Sequence, residues 1–181
     1  MTSHKVNGSE DLILFKPSIH CDNRGLFLER FNIKDFKKAT GLSPKFLQSN
    51  ESYSSKNVLR GLHYQLNKPQ GKLVSVFSGK VLDVVVDLRV HSKTYGKCFK
   101  ILLDSNKKYS LWIPRGYAHG FLTLSKDAIF FYMVDNSYDP ASEHTILWND
   151  PSLNINWNVS SPIVSEKDMK GITFNAAPKF P

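Results

Sequence analysis

LRGLHYQLNKPQGKLVSVFSGKVLDVVVDLR, residues 59–89, is the stretch on which the fold turns. Its second half holds two runs rich in Val and Leu, at 73–77 and 81–88, parted by Ser-Gly-Lys. Short β-branched runs broken by a glycine turn read as strands. In VLDVVVDLR, alternation puts Leu82, Val84, Val86 and Leu88 on one face and Val81, Asp83, Val85, Asp87 and Arg89 on the other. That pattern predicts one packed face and one face that carries polar groups. The first half shows a single histidine, His63, where a metal-binding barrel has two.

The same texture continues on both sides. Strands are expected at 12–15, 26–31, 99–103, 110–113, 120–124, 129–134 and 145–148, separated by turn signals such as DSNKK, PRG, SKD and DNSYDP. Only IKDFKKAT, 33–40, has helical spacing, ahead of Gly41. After about Asn149 the β periodicity fades, and SEKDMK has the look of one helical turn. Many short strands without interleaved helices predict an all-β protein, an antiparallel barrel of cupin-type jelly-roll form with short helices at the periphery. A length of 181 residues without a repeat or linker predicts one domain over 1–181. In RGLFLERF, Phe27, Glu29 and Phe31 share a parity and are read as one binding wall.

Composition narrows the function. No apolar run nears the roughly 18–20 residues of a membrane helix, and MTSHKVNGSEDLILF lacks a secretory pattern, so a cytoplasmic protein without a membrane partner is expected. Cys21 and Cys98 have no CxxC spacing and are expected as buried or half-buried thiols. The net charge of +8 favours an anionic partner. Without a basic tract, a helix-turn-helix pattern or an aromatic RNA-binding motif, nucleic acid has little support.

IPRGYAHGF, 113–121, has the Pro-x-Gly-x-x-His spacing of the second histidine motif of cupin barrels. Upstream, Gln65 stands where the second histidine of a His-x-His pair belongs, and no glutamate lies between Gln65 and Val81. With only His63 and His119 as imidazole candidates, a zinc or iron set is incomplete and no metal is expected. His4, His20, His91 and His144 sit in polar, turn-like surroundings and are expected at the surface. An imidazole titrating near pH 6.5 suits proton transfer at neutrality, so His63 is a candidate base. Such a base needs an orienting partner, an anion stabiliser and an acid; spacing alone does not say which carboxylates, lysines or tyrosines converge on it.

Seven segments carry a more specific resemblance: DNRGLFLERF, NVLRGLHYQ, QGKLVSVFSGKVLDVVVDLR, LWIPRGYAHGFLTLS, the Tyr-x5-Tyr-Asp-Pro spacing, ILWNDP and VSEKD. In this order, across roughly Phe15 to Asp168, the chain resembles the dTDP-4-dehydrorhamnose 3,5-epimerase (RmlC-like) family of nucleotide-linked 4-keto-sugar epimerases. The resemblance implies a jelly-roll homodimer in which an N-terminal segment of one subunit completes the other's site. It implies an isomerase without cofactor, serving sugar synthesis for cell-surface polysaccharide such as O-antigen or capsule. A C4 ketone acidifies C3–H and C5–H, so a base removes either proton and return from the opposite face inverts the carbon.

Position by position, the resemblance makes His63 the base, Asp168 the carboxylate that holds it, Tyr132 the acid on the other sugar face and Lys72 the cation at the enolate oxygen. Asp83 is placed behind His119 as a second dyad. Arg24, Phe27, Glu29, Gln48, Asn50, Arg60 and Tyr138 match positions lining the sugar, diphosphate and base pockets, where guanidinium groups and aromatic faces suit the ligand. One tension stands: Arg60 and His63 are three apart, hence on opposite strand faces unless Gly61 forms a bulge or Arg60 rounds a strand end. Arg115, in the place of an acidic residue in many relatives, DNRG and the tail KGITFNAAPKFP look individual. A GDP-linked 4-keto-heptose therefore stands as an alternative to a dTDP-linked 4-keto-6-deoxy hexose, and a ketoisomerase as an alternative reaction.

Overall fold

The computed structural model describes residues 1–181. Two antiparallel sheets face each other across a common interior. The first runs β1 (Thr2–Lys5), β2 (Ile13–Lys16), β10 (Ser110–Ile113), β7 (Lys72–Ser78), β12 (Asp127–Val134), β5 (Gln48–Ser55). The second runs β13 (Glu143–Thr145), β6 (Val58–Gln65), β11 (Tyr117–Thr123), β8 (Lys80–Asp87), β9 (Cys98–Asp104), with β14 (Ile163–Val164) parallel to β6. A separate hairpin joins β3 (Ile19–Asp22) to β4 (Gly25–Leu28). The helices α1 (Ile33–Thr40) and α2 (Glu166–Met169) flank this jelly-roll barrel.

The two Val-rich runs of the opening stretch do not pair with each other. β7 lies between β10 and β12, whereas β8 lies between β11 and β9. Their link is a corner between sheets, and Gly79 makes it with φ of 80°; a Cβ there would stand 2.1 Å from the Asp127 carbonyl oxygen.

Both faces of β8 are packed, contrary to the one-face expectation. Val81 and Val85 join the interior cluster with Leu12, Val74, Leu111 and Phe130. Val84, Val86 and Leu88 join an outer cluster with Leu59, Leu62, Trp157, Phe174 and Ala177. The chain beyond residue 149, featureless as a β pattern, thus covers the outer face of the second sheet. Each large apolar side chain buried there contributes roughly 1.5–3 kcal/mol, which makes the tail part of the fold. Asp83 and Asp87, read as polar-face residues, are fully buried.

A third cluster roofs the first sheet, where Phe36 of α1 sits on Phe15, Ile13, Leu73 and Trp112. The Asn32 side chain accepts the Lys34 and Asp35 amides at the start of α1, and Gly41 closes its end in the left-handed region.

Several expectations are corrected. The strand expected over 26–31 stops at Leu28, and Phe31 turns inward onto Phe36 and Phe46 at ring distances of 5.8 and 5.3 Å. Phe27, 72% exposed, and Glu29 therefore share no wall with Phe31. The strand expected at 145–148 is instead β13, after which Ile146 exchanges two backbone hydrogen bonds with Leu62. Cys21 is exposed, and Cys98 is half-buried with its thiol pushed up to about 11 by burial. His4, His20 and His91 are exposed, but His144 is half-buried and stacks on Tyr64 at 5.3 Å. β5, QSNESYSS, had no apolar run to announce it.

Candidate active site

The tension between Arg60 and His63 resolves at a bulge. His119 pairs with His63 and Phe121 with Arg60, so two residues of β11 span three of β6. The extra residue restores parity and turns Arg60 and His63 to the same cavity. Gly61 sits in this bulge with φ of 107°, and a Cβ on it would lie 2.6 Å from the His119 carbonyl oxygen. No other residue type fits there.

The cavity measures ≈ 510 Å³, within the usual size of a small-ligand site. Asn50 and Ser52 come from β5, Lys72 from β7, Phe130 and Tyr132 from β12, His119 and Phe121 from β11, and Lys167 and Asp168 from α2. The two walls are the inner faces of the two sheets, which is why their alternation carries polar residues among the core valines.

His63 Nε2 lies 2.6 Å from Asp168 Oδ1, while Asp168 Oδ2 accepts the Gly61 amide at 3.1 Å. Ser165 caps α2 by accepting the Asp168 amide at 3.1 Å, which fixes the carboxylate's approach. Burial of Asp168 would raise its pKa; the His63, Gly61 and Ser165 contacts outweigh that and hold it below the usual carboxylate range. An ionised carboxylate only accepts, so Nε2 is the donor, and in the neutral ring this leaves the lone pair on Nδ1. A second pair lies alongside, with His119 Nε2 2.8 Å from Asp83 Oδ2. Nowhere in the chain do three or more His, Cys, Asp or Glu side chains gather as a metal-ligand set.

From the opposite sheet, the Lys72 ammonium stands 5.7 Å from the centre of the Tyr132 ring. Burial pulls Lys72 down to about 8, against the attraction of Glu143 and Asp83. Burial pushes the Tyr132 phenol up, with Glu143 adding to the effect, so the group stays a proton donor at neutral pH. An imidazole on one wall with a phenol and an ammonium on the other are groups able to move a proton off and onto a carbon beside a carbonyl.

The remaining candidates divide. Arg60 lines the cavity and is held by Ser54 Oγ at 3.1 Å and the Tyr53 carbonyl at 3.4 Å. Gln48 lies behind the lining and donates to Asn50 Oδ1 at 2.8 Å. Tyr138 stands outside, its amide on Gln48 Oε1 and its hydroxyl donating to Glu143 Oε2 at 2.7 Å. Asp83 reaches the cavity only through His119. Arg24, Phe27 and Glu29 lie apart from it: Arg24 and Phe27 border the exposed β3–β4 groove, Arg24 pairs with Asp22 at 2.6 Å, and Glu29 accepts from Asn32.

Gln65 does not face the vacated ligand position. It is buried, donates to the Lys68 and Ser137 carbonyls and accepts the Asp139 amide, so it braces the loop after β12. Arg115 also lies outside the cavity.

Besides the cavity-lining Glu51, Ser52 and Ser165, the ion pair of Glu143 and Lys167 escaped the sequence reading. Glu143 accepts from both Lys167 and Tyr138, and those bonds outweigh burial to keep its carboxyl below the usual range. Its position arises because β13 pairs with β6, Glu143 opposite Gln65, which no local pattern announces. Lys167 had a signal, since it lies within VSEKD beside Asp168.

The chain is similar to known proteins over most of its length. Residues 8–176 match the family model described as dTDP-4-dehydrorhamnose 3,5-epimerase. A protein of that name from Shigella flexneri is 47% identical over 171 residues, 94% of each chain. Among solved structures, a dTDP-4-dehydrorhamnose 3,5-epimerase from Elizabethkingia anophelis NUHP1 superposes with a TM-score of 0.92 at 43% identity, covering 97% of each chain. The Legionella pneumophila Philadelphia 1 enzyme RmlC, solved with dTDP-4-keto-L-rhamnose, gives 0.93 at 40% identity over 98% of this chain and 95% of that one.

Proposed function

This chain belongs to the dTDP-4-dehydrorhamnose 3,5-epimerase family, and on that premise we propose that it inverts C3 and C5 of a dTDP-linked 4-keto-6-deoxy sugar in rhamnose biosynthesis. The observation that carries the reading is the convergence of the His63–Asp168 pair, Lys72 and Tyr132 on one cavity. Nδ1 of His63 takes the proton from the carbon beside the ketone, and the C–H electrons move into the carbonyl to leave an enolate. The Lys72 ammonium stabilises the charge on the C4 oxygen. The Tyr132 hydroxyl then returns a proton from the opposite face, leaving protonated His63 and a phenolate that reset through solvent. Net, no atom or electron is gained or lost, and solvent hydrogen enters the product. Arg60 offers a guanidinium for the diphosphate.

The test is product NMR in heavy water with dTDP- and GDP-linked 4-keto sugars. Deuterium at C3 and C5 of the dTDP-linked hexose is the expected result. Preference for a GDP-linked heptose moves the substrate assignment, a displaced carbonyl makes the enzyme a ketoisomerase, and absence of exchange with every substrate sinks the reading. Tyr132→Phe is expected to keep part of the wash-in of deuterium while inversion falls by about 10²-fold, the scale of a lost general acid. Equal losses of exchange and inversion would reassign the acid.

The proposed assembly is a homodimer. It gives a partner to the β3–β4 hairpin, whose Ile19, Leu26 and Phe27 are exposed at 42%, 53% and 72%, and a reason for Arg24 to lie outside the cavity of its own chain. Light scattering is expected to return twice the chain mass, and Phe27→Asp to shift it toward the monomer with loss of turnover. A fully active monomer would refute this.

A further inference from the structure

Arg115, within PRGYAHGF, makes its contacts with Asp135. Its Nε lies 3.1 and 3.3 Å from the two carboxylate oxygens, and its Nη2 lies 3.4 Å from the Asp135 carbonyl oxygen. The guanidinium is 51% exposed and the carboxylate only 10%. Asp135 Oδ1 also accepts the backbone N–H of Gly71 at 2.6 Å, and the Asp135 amide returns a bond to the Gly71 carbonyl at 3.2 Å.

Gly71 immediately precedes Lys72. The Lys72 backbone pairs with Val134 on one side and Ile113 on the other, one residue before Asp135 and two before Arg115. One carboxylate therefore ties together the ends of β10, β7 and β12 at the residue next to the buried ammonium. Gly71 is also pressed against Trp112, where a Cβ would meet Cη2 at 2.4 Å and Asp135 Oδ2 at 3.0 Å. The turn packs closely on both an indole and a carboxylate.

We infer that Asp135, backed by Arg115, is a positioning residue that sets the Lys72 ammonium against the C4 oxygen by clamping the Gly71 amide. The inference rests on the epimerase reading of the cavity. Two features separate the parts of the pair. The Gly71 N–H needs an acceptor, which an amide oxygen also supplies; Arg115 needs a charge, which only the carboxylate supplies. The hydrogen bond does the aiming and the ion pair stiffens it.

The test uses full-length wild type, Asp135→Ala, Asp135→Asn and Arg115→Ala, each measured for kcat and KM on the 4-keto sugar nucleotide and for dTDP affinity. A loosened cation misplaced by about 1 Å costs on the order of 10²-fold, so Asp135→Ala is expected to lose about 10- to 100-fold in kcat while dTDP affinity stays within about twofold. Asp135→Asn is expected to recover to within about threefold of wild type because its side-chain oxygen still takes the Gly71 N–H. Arg115→Ala is expected to lower kcat by about threefold, a stiffening effect only. Wild-type kcat in Asp135→Ala overturns the inference, as does a loss that Asn does not rescue or one matched by lost dTDP affinity. Should Asp135→Ala not fold, the other two decide: severe loss in Asp135→Asn or unchanged kcat in Arg115→Ala overturns it. Failure of the wild type to exchange C3–H or C5–H would instead remove the epimerase reading itself.

Discussion

His63→Ala is expected to abolish deuterium entry at both C3 and C5 and to lower turnover by about 10²- to 10⁴-fold, the range for a positioned acid–base group. Both carbons respond because each flanks the same ketone and each proton leaves toward one base. The substitution also strips Asp168, 3% exposed, of its main partner, so a loss by misfolding must be separated from a loss of chemistry. His63→Gln supplies that control. Its amide offers Asp168 a donor and has no lone pair basic enough to take a carbon-bound proton. Both variants should bind dTDP within a few-fold of wild type while exchange disappears. Full turnover by either would end the assignment of His63 as base.

Lys72→Met is expected to cost about 10²- to 10³-fold in kcat, the scale of losing one preorganised group aimed at a developing oxyanion. The same change should make the protein more stable. Burial depresses the lysine to about 8, so at neutral pH the fold carries a charge that its surroundings disfavour. The pH dependence then has two opposite signs. Activity needs the ammonium and falls as pH rises through about 8 in free enzyme, a limb to be read from kcat/KM. Between about 8 and the ordinary lysine value near 10.4, the unfolded chain binds more protons at this site than the native one, so its contribution to stability grows as pH rises. Asp83 and Glu143 limit the depression by attracting the charged form. Thermal melts of wild type and Lys72→Met across pH 7–10 should converge as the pH increases. A less stable Lys72→Met, or one with unchanged kcat, would show that the ammonium is not held against its preference for use on the substrate.

Parity was legible where the strands are regular. The interior set Val81, Asp83 and Val85 was separated correctly from Val84, Val86 and Leu88, because side chains alternate with period two whatever the strand packs on. Alternation predicts that the second set packs; that the first set is buried as well was not legible, since it faces the other sheet, with Leu12, Val74, Leu111 and Phe130 drawn from separate parts of the chain. At Gly61 the local rule failed altogether. A bulge adds one residue on one strand and reverses the face of everything beyond it, and only the neighbouring β11 reveals the mismatch. β5 escaped because its inner face lines a cavity for a polar ligand, so its alternation is polar against polar.

By itself the sequence determined the β texture, the helix at 33–40, and the chemistry available to the site: His63, Lys72, Tyr132 and Asp168 stand in motifs that needed no coordinates to be matched. The tertiary structure alone decided which groups meet. It joins His63 to Asp168 across 105 positions, brings Glu143 to Lys167, turns Gln65 into a loop brace, ties Arg115 through Asp135 to Gly71, and leaves Arg24, Phe27 and Glu29 outside the cavity of their own chain. The physical reason is one of range. Backbone preference and side-chain alternation act within a few residues, whereas contacts across the barrel depend on strand order and register, which the packing of the whole chain sets.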